Sequence, residues 1–408
     1  MRKQVLGDGE GEIMAPKEII NNIFYTGLNH RERRLFDELI PLPMGTTYNS
    51  YLIKASEKTV LVDTMYPPKS DEFIERLEKA GLEKLDYIVC NHGEQDHTGA
   101  IPKVLKRYPE AKILTNEKCK NLLIDMLHIA EDKFQIVADG EEISLGDKTI
   151  KFIYAPWVHW PDTMFTYVKE DKIIFTCDFL GSHSPFENLF APETPELLKA
   201  AKRYYAEIMM PFRNFCKKYV QLLKGMDIDM IATSHGPIYK NPSFILDAYE
   251  TWTADEVKNE VVIPYVSMYE STKEMVDYMA EKLSDKGIEV KPFDVVEEDL
   301  GELAMELVEA CTVVFGSSMV LAGPHPAAVT TAYLAGALRP KVKFVSFIGS
   351  YGWGGVLVEK LEQALSGIRA EKLEPVIIKG KPKEVDFAKL DVLIESIYEK
   401  HKGLGLVK

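Results

Sequence analysis

The sequence has no run of about 20 uninterrupted apolar residues, the length a helix needs to span a bilayer. Its longest charge-free stretch, 310–338, is broken by Gly316, Gly323, Pro324, Pro326 and Gly336 and reads as buried strands and loops. The start, Met1-Arg2-Lys3-Gln4-Val5, has no apolar signal core. Cysteine is scarce: Cys90, Cys119, Cys177, Cys216 and Cys311 are odd in number, scattered and without a CxxC pair. That argues against a disulfide framework and a thiolate zinc site. Cationic excess is missing too, since 49 Lys+Arg against 63 Asp+Glu leave a formal charge of −14. An acidic chain without a basic block is a poor partner for nucleic acid or an anionic membrane surface. The expectation is a soluble, cytoplasmic protein with neither partner.

What is present suffices for real cores. Of 408 residues, 46% are hydrophobic, and at roughly 100–200 residues per domain the length predicts two or three domains. Short β-rich runs at 48–53, 59–62, 87–90, 112–115, 149–154, 164–168 and 172–176 are separated by turn signals and by helical patterns such as 69–80. This predicts sheets packed inside helical layers. Mostly helical stretches follow at 194–225 and 242–257. From Val261 onward strands and helices alternate, with strands at 261–267, 289–292, 312–316, 343–348 and 374–379, which predicts a doubly wound parallel sheet. The expected domains are 1–257 and 258–408.

The strongest local pattern is Asn91-His92-Gly93-Glu94-Gln95-Asp96-His97, directly after the apolar run 87–90. A loop at a strand end can aim four metal-competent side chains at one point. His159, Asp178, His183 and His235 follow, and Asp178 and His235 again sit just past apolar runs. Lone histidines such as His30, His128 and His401 read as ordinary surface or core residues. The combined set reads as a metal pair. Cys177 adjoins Asp178, but adjacency alone does not make it a ligand.

The spacing resembles the metallo-β-lactamase fold, whose zinc hydrolases usually carry His-x-His-x-Asp-His; here Glu94 stands at the second His. The set His92, Glu94, Asp96, His97, His159, Asp178 and His235 offers four imidazoles and three carboxylates, harder ligands that suit non-haem iron. Zinc has no redox chemistry. This pattern resembles the flavodiiron proteins (A-type flavoproteins) along essentially the whole chain. Arg33-Arg34-Leu35-Phe36-Asp37 and Gly45-Thr46-Thr47-Tyr48-Asn49 are also similar to that family's N-terminal region. The resemblance implies an N-terminal metallo-β-lactamase-like αββα sandwich and a C-terminal flavodoxin-like sheet. It implies that His92, Glu94 and His159 bind one iron, that Asp96, His97 and His235 bind the other, and that Asp178 bridges them, with an oxo or hydroxo bridge when oxidised.

The second domain opens with a strand, then Ser267-Met268-Tyr269-Glu270-Ser271-Thr272, then a helix. A hydroxyl-rich turn at a helix N-terminus suits a phosphate. Gly316-Ser317-Ser318-Met319 and Gly349-Ser350-Tyr351-Gly352-Trp353-Gly354-Gly355 are expected as loops past later strands, the edge where flavodoxin-like sheets bind FMN. Tyr269, Tyr351 and Trp353 are placed to flank the flavin ring. The loops resemble flavodoxin FMN loops, with Glu270 where the family more often has Gly, and Ser318-Met319-Val320 where many relatives have Pro-Thr.

The resemblance implies reduction of O2 to water, of NO to nitrous oxide, or both. Electrons would come from a separate donor such as rubredoxin or reduced F420. It further implies a head-to-tail homodimer, or a dimer of dimers. Proton-donor candidates are His183, Asp37 and Asp63, the last with a second reading as a group that orients the metal loop. The competing expectation is a zinc hydrolase fused to a flavodoxin module.

Overall fold

The computed structural model describes residues 15–407. The segment Met1–Val5, read above as lacking a signal core, lies outside them. No helix among the described residues is long and apolar enough to cross a membrane.

The chain divides into two compact units. The first takes in residues through 34, 42–200 and 218–247; the second takes in 35–41, 201–217 and 248 to the end. A boundary at 257/258 divides the chain by segment and not by packing. By packing, three short pieces that precede it belong with the second unit.

Two sheets face each other in the first unit. One runs, in spatial order, Lys17–Ile20, Ile23–Tyr25, Tyr51–Lys54, Thr59–Val62, Tyr87–Val89, Lys112–Thr115 and Phe134–Ile136. The other runs Glu142–Ser144, Thr149–Tyr154, Met164–Val168, Ile173–Cys177 and Met230–Thr233. Strand alternation with period two explains the layering. Val60 and Val62 point between the sheets toward Phe152 and Phe175. Leu61 points the other way, onto Phe73 and Leu77 of the helix Ser70–Lys79. On the outer side of the second sheet, Tyr219 sets its ring edge-on to Phe165 and Phe179. The result is the αββα sandwich.

The second unit has one parallel sheet ordered Glu289–Asp294, Lys258–Val266, Ala310–Val320, Phe344–Tyr351, with Glu371–Lys372 and Val376–Lys379 both pairing against Phe344–Tyr351. In chain order this is 2-1-3-4-5, the flavodoxin-like arrangement. Ser271–Asp285 and Glu384–Gly403 cover one face through Met275, Met279, Leu390 and Ile397. Leu300–Leu307, Pro326–Leu338 and Val358–Ala364 cover the other.

Three local expectations are corrected. Ser317, Ser318 and Met319 lie within the strand Ala310–Val320, not in a loop beyond it. That strand continues because Met319 and Val320 pair antiparallel with Pro324 and Gly323 across a tight turn. Ser350 and Tyr351 likewise end the strand Phe344–Tyr351, because Ser350 and Tyr351 pair with Ile378 and Lys379. The helical stretch 194–225 is also interrupted by a wide π turn at Tyr205–Met209 and a 3-10 turn at Met210–Phe212. Pro211 has no amide hydrogen to continue regular helical bonding there.

Candidate metal and flavin sites

Parallel pairing decides where the metal-competent side chains go. Thr59–Val62 and Tyr87–Val89 are parallel neighbours in one sheet, and Ile173–Cys177 and Met230–Thr233 are parallel neighbours in the other. Each pair therefore brings its carboxyl ends to one rim. Asp63, the loop at His92, Asp178 and His235 follow those four ends. The short helix Gln95–Thr98 then carries Asp96 and His97.

All seven expected ligand side chains meet. One atom from each of His92, Glu94, His159 and Asp178 lies within 4.8 Å of the others, and the same holds for Asp96, His97 and His235. Asp178 faces both groups: Oδ1 is 3.1 Å from His97 Nε2 and 3.3 Å from His235 Nε2, while Oδ2 is 3.4 Å from His159 Nε2 and 3.7 Å from His92 Nε2. Glu94 Oε2 lies 3.2 Å from His92 Nε2 and 3.3 Å from His159 Nε2. Asp96 stands 3.2 Å from His97 and 3.1 Å from His235.

The electrostatics suit cations. Burial opposes charging the imidazoles, yet Asp178 and Glu94 outweigh it and raise His159 to about 9. Against the same opposition, Asp178 and Asp96 raise His235 to about 10. Burial also works against ionised Glu94 and Asp178, and the facing imidazoles overcome it, holding both carboxyls well below the usual range. Both carboxylate oxygens of Asp96 are buried and accept no hydrogen bond. Buried anions facing imidazole nitrogens are the environment a pair of divalent ions fills, displacing the imidazole protons as it binds. The donor set fits the metal pair.

A surrounding layer holds the imidazoles. His92 Nδ1 lies 3.2 Å from Asp162 Oδ2, and His235 Nδ1 lies 2.5 Å from the Thr47 carbonyl oxygen. Each contact leaves Nε2 facing the cluster, and such outer partners fix ring orientation. Asp63 accepts from the Asn91 backbone amide at 2.8 Å and from Asn91 Nδ2 at 2.9 Å, anchoring the loop just before His92. Burial raises the Asp63 carboxyl to about 6. Its bonding favours the orienting reading over that of proton donor. His183 Nδ1 meets Thr46 Oγ1 at 2.9 Å, and its ring lies edge-on to His235. Asp37 packs with the second unit. Cys177 is buried, and burial raises its thiol well above its ordinary value. The sequence shows no sign of Asp162, and it shows Thr46 and Thr47 only within a stretch similar to the family's N-terminal region, not as supports of the imidazoles. Asp162 sits in an unpatterned turn, and a backbone carbonyl leaves no sequence signal.

In the second unit a cavity of about 390 Å3 is lined by Ser267, Met268, Tyr269, Ser271, Ser318, Met319, Ser350, Tyr351, Gly352 and Trp353, with Val320, Leu321 and Gly380. The remaining candidates serve differently. Thr272 Oγ1 lies 3.0 Å from Ser350 Oγ, tying the first turn to the third segment. Ser317 Oγ accepts from the His325 amide at 3.0 Å. Glu270 is exposed and left-handed, with φ 64°. Tyr269 and Trp353 are 85% and 68% exposed, open aromatic faces of the kind that stack on a planar ring. Ser318 Oγ is buried without a hydrogen-bond partner, as a ligand contact would leave it. The cavity fits a flavin phosphate and ring.

Comparisons agree with this geometry. Residues 46–236 match a family model described as ODP family beta lactamase. A nitric oxide reductase of Moorella thermoacetica is 34% identical over 363 residues, covering 87% of this chain and 91% of that protein. The rubredoxin oxygen:oxidoreductase of Desulfovibrio gigas superposes with a TM-score of 0.89 at 29% identity, covering 95% of this chain and 99% of that one. A flavo di-iron protein of Thermotoga maritima gives 0.82 at 27% identity, covering 95% and 99%. With both halves of the pattern in one chain and relatives matched over nearly their whole length, the chain belongs to the flavodiiron family.

Proposed function

We propose that the chain is an oxidoreductase that reduces O2 to water, NO to nitrous oxide, or both, using a diiron centre and FMN. The observation that carries this reading is the donor set around Asp178: three carboxylates and four imidazoles, with Glu94 where zinc hydrolases of this fold usually have histidine. Held here, an iron pair would supply two electrons and reduced FMN two more, matching the four electrons and four protons that convert O2 to two waters, while two NO need two of each to give N2O and water.

The chain's own residues take these roles. His92, Glu94 and His159 would hold one iron and Asp96, His97 and His235 the other, with Asp178 lying between the two groups as the bridging ligand. Asp162 and the Thr47 carbonyl keep His92 and His235 turned inward. The turn Ser267 to Thr272 would receive the FMN phosphate, while Ser318, Met319, Ser350, Tyr351, Gly352 and Trp353 would border the ring and Ser317 would support that edge through the His325 amide. We assign residues 1–257 to the diiron domain and 258–408 to the flavin domain. Rubredoxin or reduced F420 is the donor class, a head-to-tail homodimer or a dimer of dimers is the assembly, and the cytoplasm is the compartment.

The test is metal and flavin analysis of the purified protein, then parallel O2 and NO consumption with reduced rubredoxin. Bound iron and FMN with consumption of either gas supports the reading. Bound zinc with neither gas consumed overturns it in favour of a hydrolase fused to a flavodoxin module. Asp178→Asn sharpens the test: gas consumption falls by more than the about 10–100-fold typical of losing an outer partner, and FMN content stays unchanged.

A further inference from the structure

The second unit holds another concavity, of about 620 Å3, beside the starts of its strands. Lys341 and Lys343 precede Phe344–Tyr351, and Arg369 precedes Glu371–Lys372. The flavin cavity instead lies at the strands' carboxyl ends. Arg213, Arg339, Lys341, Lys343 and Arg369 line the concavity, and no carboxylate among the described residues does. This is a concentration of positive charge in a chain of formal charge −14.

Two of the five cations are fixed by the fold. Lys341 is buried and donates to the Ala254 carbonyl at 2.9 Å and the Trp252 carbonyl at 3.3 Å. Arg213 donates to the Thr253 carbonyl at 3.0 Å and pairs with Asp255 at 2.6 Å. Asp255 is shared with Lys217, at 3.1 Å. Arg339, Lys343 and Arg369 enter no ion pair among the described residues. Like charges lining one concavity repel, and an anion among them offsets that repulsion, less so as salt screens it. Arginine forks bind phosphate oxygens in pairs, so two forks and a lysine suit a chain of phosphates. Phe212 and Phe215 add aromatic lining, with Phe215 40% exposed. The volume falls within the roughly 300–1,000 Å3 of small-molecule sites.

We propose that this concavity binds a nucleoside polyphosphate, its phosphates among Arg339, Lys343 and Arg369 and its base against Phe215. The site is separate from the diiron and flavin reading and does not depend on it.

The experiment is calorimetric titration of the full-length, FMN-loaded protein with ATP, tripolyphosphate and adenosine, at low and raised salt. The variants are Arg339→Ser with Arg369→Ser, and Lys343→Gln alone; the first pair is exposed and leaves the core untouched. ATP is expected to bind saturably below about 1 mM, more weakly as salt rises. The double variant should weaken it at least tenfold, and Lys343→Gln should also weaken it. Tripolyphosphate bound as tightly as ATP overturns the nucleoside assignment. No saturable ATP binding, or binding unchanged in both variants, overturns the site.

Discussion

Oδ2 of Asp162 sits 3.2 Å from Nδ1 of His92 and also accepts a 2.7 Å hydrogen bond from the Gly93 amide. One carboxylate thus fixes both a ring and the loop that carries it. Burial opposes its charge, but His92 and the Gly93 amide hold the Asp162 carboxyl below its usual range. Asp162→Asn keeps the shape and removes the charge. Iron affinity, read by chelator competition, should fall about 10–100-fold, as when an outer partner of a metal-bound histidine is lost. FMN content should not change. Unchanged iron affinity would show that Asp162 does not orient His92.

Glu270 caps the helix Ser271–Asp285 in the left-handed region, at φ 64° and ψ −12°. A side chain there costs roughly 1 kcal/mol that glycine avoids. Glycine also removes a carboxylate next to the turn assigned to the FMN phosphate. Against this, glycine makes the unfolded chain freer. Strain and charge both favour the substitution, so Glu270→Gly should tighten FMN binding several-fold and raise the melting temperature slightly. Flavin titration of the apoprotein with parallel thermal melts checks both, and weaker FMN binding would count against the phosphate assignment.

Gly301 is required by close approach, not by its backbone angle. A Cβ there would lie 2.2 Å from Arg203 Nη2 and 2.2 Å from Glu207 Oε1. Arg203 Nε holds Glu207 at 3.0 Å, and Nη2 reaches the Pro41 carbonyl at 3.0 Å and Asp299 Oδ1 at 2.9 Å. Burial raises the Glu207 carboxyl to about 8 despite Arg203, so displacing that arginine leaves a poorly solvated acid. Gly301→Ala should destabilise the protein by about 1–3 kcal/mol, the usual range for overpacking, seen as a lower denaturant midpoint.

The metal cluster was legible because four of its members share one loop and two more, Asp178 and His235, follow apolar runs that had to be strands. Its supports were not. Asp162 belongs to no repeat, and Thr47 contributes a carbonyl that any residue would supply. The flavin edge was harder to read for a different reason. The turn joining Val320 to Gly323 uses Leu321 and Ala322 at φ 51° and 59°, where two-residue hairpins normally announce themselves with Asn or Gly. Without that signal Ser317 to Met319 read as loop, although they complete a strand.

His401 read as an ordinary histidine, and it packs as one, with consequences for pH. It is buried between Thr312 Oγ1 and Asn259 Oδ1, each at 2.8 Å. Burial lowers its pKa from 6.5 to about 4. The folded state therefore keeps the ring neutral where the unfolded chain already takes up a proton. Its contribution is present in full above about 6.5 and is lost as pH falls toward 4. His401→Gln keeps a polar side chain and removes the titration. The wild type should lose more of its urea midpoint between pH 7 and pH 5 than the variant does, since titrations shared by both proteins cancel in the comparison. Parallel slopes would mean that the unfolded chain also holds His401 neutral, or that the folded ring is charged.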